Sequence, residues 1–275
     1  METMASASWK SPRFDNPPVV ETVLGVQFPA LAFSSGHFGW FWREYLGKDW
    51  PTAADAPPLV DQFERFGDQL SWGIPGIQFA IEPITSARLQ LTNAGDDRVV
   101  QVQNSRFIYN WRKRHGTYPS YHQIRPEFDT QYANFCQFVA DLGLGAVAPN
   151  QWEVTYIHHV SRGTLWQSPN DWYKIIPGLF PCGRSNELLK FEGAGEWHYE
   201  IAPEQGRLHV ALQRARAGSS QGQEVLAVQL TARGPIVNAT PESVGTGLNI
   251  GHEAVVRAFL EMTSPEAHRM WLLKV

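Results

Sequence analysis

Two glutamates, Glu21 and Glu153, occupy matching places in two runs that alternate apolar and polar residues. Carboxylates brought together raise one another's proton affinity, which is what a general acid/base pair or a divalent-cation site uses. The plainer alternative is that each pairs with an arginine across a sheet. His158 and His159 follow Glu153 in the same run. Neighbours on a strand point to opposite faces, so these two cannot chelate one ion together. His158 shares a face with Tyr156 and Val160 and reads as a hydrogen-bonded core histidine. His159 shares the face of Glu153 and is the stronger site candidate.

A third group, Arg106, Arg112, Lys113, Arg114 and His115, is interleaved with Tyr109, Trp111 and Tyr118. Such a mixture can stack bases and neutralise phosphates; it can equally be a basic strand end running into a solvated loop. Arg207, Arg214 and Arg216 form a smaller second set that would extend an anion-binding groove. The binding candidates are therefore Arg106, Tyr109, Trp111, Arg112, Tyr118 and His159, with Glu21 and Glu153 as catalytic candidates. No phosphate loop, dinucleotide fingerprint, HExxH or GxSxG motif occurs, which argues against a motif-defined enzyme. The only cysteines, Cys136 and Cys182, lack ligand spacing, so neither a disulfide scaffold nor a structural zinc site is expected. No metal or cofactor is expected.

The elements that must position these residues follow from periodicity. Residues 19–28 alternate in period two, a half-buried strand, and Phe38, Phe41, Trp42, Tyr45 and Leu46 form a helical stripe behind Ser34 or Ser35. Residues 49–83, rich in Pro and Gly, read as an insertion with a weak helical run through Leu59, Val60, Phe63, Phe66 and Leu70. Three strands near 87–92, 98–103 and 106–112 meet at Asn- and Gly-containing turns, a meander. A helix starting at Pro126 ends at Gly143. The order then restarts: a strand at 151–160, a short helix at Ser168–Ile176, strands near 196–201, 207–214 and 224–231, and a helix around Val255 to Leu260.

Val19 and Gln151 open the two leading strands, 132 residues apart. The sequence thus predicts an α+β fold of two similar β-α-β-β-β-α halves, with antiparallel meanders covered by helices on one face. The expected divisions are a flexible leader over 1–16, a first half over 17–146 containing the insertion, and a second half over 147–275.

Hydrophobic residues at 43% and charged residues at 18%, with 11 Trp, describe a folded chain with aromatic-rich packing. The formal charge of -4 supplies no long-range pull toward nucleic acid or an anionic membrane. There is no signal-peptide pattern and no long apolar run, so a cytoplasmic protein without membrane contact is expected.

Asn16-Pro17-Pro18-Val19-Val20-Glu21, Gln101-Val102-Gln103 through Asn110-Trp111-Arg112, Tyr118-Pro119-Ser120-Tyr121 and Glu153-Val154-Thr155-Tyr156-Ile157 occur in that order. Together they resemble a sporadically distributed bacterial family of about this length with an NPPVVE-type motif near its start. The resemblance implies a bacterial cytoplasmic protein and supplies no reaction, cofactor or catalytic residue. His158-His159 stands where the family pattern suggests an Asn. The functional expectation is a non-enzymatic recognition or accessory protein, of the kind used in defence systems, that binds a protein partner or small ligand in the groove between the halves. The alternatives are an enzyme using Glu21 and Glu153, and a nucleic-acid or nucleotide binder using the Arg106 to His115 cluster.

Overall fold

The structure is a computed structural model that describes residues 12–64, 66, 88–114, 116, 118–179, 194–218 and 222–274. In chain order the elements are β1 (Arg13–Phe14), β2 (Val19–Gln27), α1 (Ser35–Phe41), β3 (Thr52–Ala56), β4 (Arg88–Thr92), β5 (Arg98–Gln103), β6 (Arg106–Arg112) and α2 (Tyr121–Asp141). They continue with β7 (Gln151–Ser161), β8 (Gly195–Ile201), the single turn α3 (Ala202–Gln205), β9 (Gly206–Arg216), β10 (Glu224–Pro235), α4 (Pro241–Met262), α5 (Pro265–Met270) and β11 (Leu273–Lys274).

Nine strands form one antiparallel sheet in the order β3-β4-β5-β6-β2-β7-β10-β9-β8. The fold is α+β. β2 and β7 lie side by side at the centre, and both sides of the sheet grow outward from them by antiparallel neighbours. Alternation along each strand sends one set of side chains under the helices and the other to the opposite face. The helix side holds the core: Leu24, Val26, Phe28, Phe107, Val154 and Leu230 are all buried there. Phe41 from α1 and Phe135 and Phe138 from α2 complete an aromatic cluster over the first half of the chain.

Over β7 and β10 the contact is closer still. A Cβ at Gly247 of α4 would lie 2.2 Å from Trp152 Cδ1, and one at Gly251 would lie 2.6 Å from Trp152 Cζ3. Glycine at both positions lets α4 settle directly on the buried indole.

Several elements differ from the sequence reading. α2 begins at Tyr121, with Pro126 inside it; Gln123 Oε1 accepts from Ser120 N at 3.0 Å, a side-chain cap that marks the true start one turn before the proline. α4 starts at Pro241, well before the run at Val255 that the sequence reading recognised; its buried stripe already includes Val244 and Leu248, but Gly247 and Gly251 interrupt it with no hydrophobic side chain. The leader is paired from Arg13 onward, since β1 bonds β11; residues 1–11 lie outside the described residues. Thr52–Ala56 is a strand inside the expected insertion. The helical run expected from Leu59 is not a helix through Glu64, and Leu70 lies outside the described residues. Among the described residues no helix is long and apolar enough to cross a membrane.

Candidate functional site

The face of the sheet away from the helices carries a network of polar side chains set among buried apolar ones such as Val99, Ile108, Val225 and Ala227. On one side of the centre, Arg88 Nη1 donates to Gln101 Oε1 at 2.7 Å, Gln101 Nε2 to Asn110 Oδ1 at 2.8 Å, and Asn110 Nδ2 to Glu21 Oε1 at 2.6 Å. Arg112 Nε closes this relay on Glu21 at 3.1 Å. On the other side, Arg233 Nε lies 2.9 Å from Glu153 Oε2, and Arg106 Nη1 lies 3.6 Å from the same oxygen.

Glu21 and Glu153 are thus each held by arginine. Glu21 stands opposite Ile157 and Glu153 opposite Gly25, a separation of four residues along the strands, or roughly 13 Å. Carboxylate pairs that share one reacting bond stay within about 9.5 Å. The two glutamates do not converge, because they sit on either side of the central register rather than across from each other.

Alternation along β6 divides the basic and aromatic cluster between the faces. Arg106 and Arg112 point to the polar face. Tyr109 and Trp111, each 2% exposed, point under the helices. Tyr109 Oη donates to Glu127 Oε2 of α2 at 2.6 Å, and Trp111 meets Tyr118 edge-on at 5.3 Å. Tyr118 is bonded to Tyr156, which contacts His252 Nδ1 at 2.9 Å. Burial pushes both tyrosine hydroxyls up and the His252 ring down to about 4. These rings are core, not a stacking surface for bases. Arg114 pairs with Asp96, and His115 lies outside the described residues. Arg207 lies at one end of β9, while Arg214 bonds Glu224 and Arg216 bonds Gly222 O at the other, so the second arginine set makes no single groove. His159 lies half-buried on the polar face; burial lowers its pKa, opposed by the charge of Glu21.

A strap of chain that sequence reasoning placed in a helix crosses the polar face. After β3, residues 57–64 run over one end of the strands, and three glutamines on three strands hold its main chain. Gln103 of β5 accepts from Leu59 N at 2.7 Å and donates to Leu59 O at 2.8 Å. Gln27 of β2 accepts from Gln62 N at 3.0 Å. Gln151 of β7 donates to Gln62 O and accepts from Glu64 N at 3.3 Å. Arg106 Nη2 donates to Val60 O at 3.2 Å, and Ser105 Oγ donates to Asp61 Oδ1 at 2.8 Å. Five extended steps from Leu59 reach about 17 Å, close to the roughly 19 Å of four strand spacings between β5 and β10.

The strap ends in a charged anchor. The Glu64 side chain is 8% exposed and meets Arg233 Nη1 at 3.0 Å, His209 Nε2 at 2.7 Å and Arg207 Nε at 3.3 Å. Burial opposes its charge, but His209 and Arg233 outweigh it and hold the carboxyl below its ordinary pKa. The strap's apolar side chains contribute little, since Val60 is 80% and Phe63 61% exposed. Beneath the strap lies a cavity of about 10 Å³ lined by Gly25, Gln27, Arg106, Gln151 and Glu153, among others, room for about one water. Gln27 Nε2 and Arg106 Nε are buried without a hydrogen-bond partner among the described residues.

Gln27, Gln103 and Gln151 are the site residues that sequence reasoning missed. A glutamine on the polar side of a strand looks like any solvated residue until another segment crosses it. Compared with known proteins, the chain matches no family model and no curated protein.

Proposed function

We propose that this is a recognition protein whose polar sheet face binds an extended polypeptide through its main chain, and that the strap over residues 57–64 occupies that face in cis. The observation that carries this reading is the set of glutamine amides from β5, β2 and β7 that bond the strap backbone at Leu59, Gln62 and Glu64. A side-chain amide offers one acceptor and two donors, the complement of a peptide unit. Recognition of this kind gives affinity through the main chain while leaving the bound side chains largely free.

The strap is suited to exchange. It buries little apolar surface, so hydrogen bonds worth about 0.5–1.5 kcal/mol each, together with one charged anchor, hold it. An incoming extended chain with an acidic residue at the Glu64 position would form the same bonds.

We further propose that the face is formed by two related halves joined at β2 and β7. Three features support this. The strand order runs outward as β6-β5-β4 on one side and β10-β9-β8 on the other. Val23 and Thr155, which are 132 residues apart in sequence, face each other at the centre. Glu21 with Arg112 and Glu153 with Arg233 are equivalent pairs on equivalent strands.

The test replaces residues 57–64 with a Gly/Ser linker of equal length and titrates the variant with a synthetic peptide of the strap sequence. Saturable binding to the linker variant, and much weaker binding to the native chain, is expected. A folded linker variant that does not bind the peptide would overturn the proposal.

A further inference from the structure

We propose a divalent transition-metal site, of zinc type, at the β8 edge of the polar face, formed by His198, His209 and Glu196. It does not depend on peptide recognition. His198 and His209 are direct cross-strand partners on β8 and β9, and their Nδ1 atoms lie 2.7 Å apart. Glu196 stands two residues before His198 on the same face, with Oε1 3.9 Å from His198 Nε2. The three side chains each offer a ligand atom within 4.8 Å of the others. Two imidazoles and a carboxylate are a donor set that suits zinc, which takes three protein ligands and leaves a fourth position for water or an incoming group.

The chemistry of His209 makes this more than a meeting of polar residues. Its Nε2 lies 2.7 Å from Glu64 Oε1. An ionised carboxylate only accepts, so Nε2 carries a proton and Nδ1 is the nitrogen left to offer a lone pair. That lone pair faces His198. Without metal, His198 Nδ1–H donates to it; with metal, the cation takes the place of that proton and a proton is released. Glu64 is then the carboxylate behind a ligating histidine, the partner that fixes the ring's tautomer and raises its basicity. Two imidazole nitrogens at about 2.05 Å from one tetrahedral ion lie about 3.3 Å apart. The present contact of 2.7 Å therefore needs to widen by about 0.6 Å to reach that tetrahedral spacing, which rotation of the exposed His198 ring supplies.

The test is isothermal titration of the untagged, chelator-treated full-length chain with Zn2+ alone, beside variants shown by circular dichroism to be folded. One stoichiometric site is expected, lost in His198→Ala and in His209→Ala and retained in His122→Ala, which removes an imidazole elsewhere. Glu64→Gln keeps every ligand and is expected to weaken binding about 10-fold. Binding should also weaken as pH falls, because protons compete for the imidazoles. Absence of a stoichiometric site in the native chain, or a site unaffected by His198→Ala and His209→Ala, would overturn the proposal.

Discussion

At the scale of single residues, the molecule separates ionisable groups by face. His158 lies under the helices, stacked on Phe259 at 4.0 Å, with Val228 O 3.2 Å from its Nδ1. Burial lowers its pKa from 6.5 to about 3, and burial lowers that of His252 to about 4. Both rings stay neutral in the folded chain through mild acid, whereas in the unfolded chain they take up protons near 6.5. The unfolded state therefore binds more protons between pH 6.5 and about 4, and stability falls as pH falls through that window. Each ring contributes up to about 1.4 kcal/mol per pH unit. Urea midpoints measured from pH 7 to pH 5 should show a slope of this sign, to which His159 and His268 also add, and His158→Phe should make it shallower by one ring's share. An unchanged slope in that variant would mean the ring is not buried neutral. Glu64 adds a separate loss at the acid end, because its folded pKa lies below the ordinary 4.5. Its contribution is present above that value and disappears as pH drops through the folded pKa. Alternation placed His158 in the core from sequence alone. It could equally have divided Tyr109 and Trp111 from Arg106 and Arg112, which reading the cluster as one surface obscured.

At the scale of elements, close approach decides more than propensity. Ala at position 247 would gain about 1 kcal/mol of helix propensity over Gly, but its Cβ would sit 2.2 Å from a buried indole carbon. Overpacking costs about 1–3 kcal/mol, so the overlap should win. Thermal unfolding of Gly247→Ala is expected to show net destabilisation, partly relieved by Trp152→Phe; a higher melting temperature in the single variant would refute the packing of α4 on Trp152. The strands β2, β4 to β6 and β7 to β10 were legible from period-two alternation and turn residues, whereas the short β1, β3 and β11 were not. α4 was recognised only in its second half, because Gly247 and Gly251 break the apolar period that Val244 and Leu248 begin. The strap was misread because Leu59, Val60 and Phe63 mimic a helical stripe, while its conformation is set by Gln27, Gln103 and Gln151 on distant strands. Local periodicity carries no record of such a contact.

At the scale of the whole molecule, a single antiparallel sheet offers one face to helices and the other to an extended chain. The face is readable in the sequence as a series of polar alternates, but its occupant is not, because the contacts between strap and sheet join residues far apart in the chain. Arg207, Arg233 and His209 around Glu64, with the three glutamine amides, account for why a segment with exposed Val60 and Phe63 remains in place. Main-chain recognition makes a specific demand on any ligand. Its backbone N–H groups at the positions of Leu59, Gln62 and Glu64 must be free, while its side chains at the positions of Val60 and Phe63 are interchangeable. The most direct measurement is fluorescence anisotropy of labelled strap peptides on the linker variant. N-methylation at the Leu59 or Glu64 N–H should weaken binding about 10-fold, the cost of leaving a glutamine acceptor unpaired, and more than at Gln62, whose acceptor Gln27 Oε1 keeps Arg106 Nη2 at 2.6 Å; alanine at the Val60 and Phe63 positions should leave binding unchanged. Binding that tolerates the N-methyl groups and is lost with the alanines would contradict main-chain recognition.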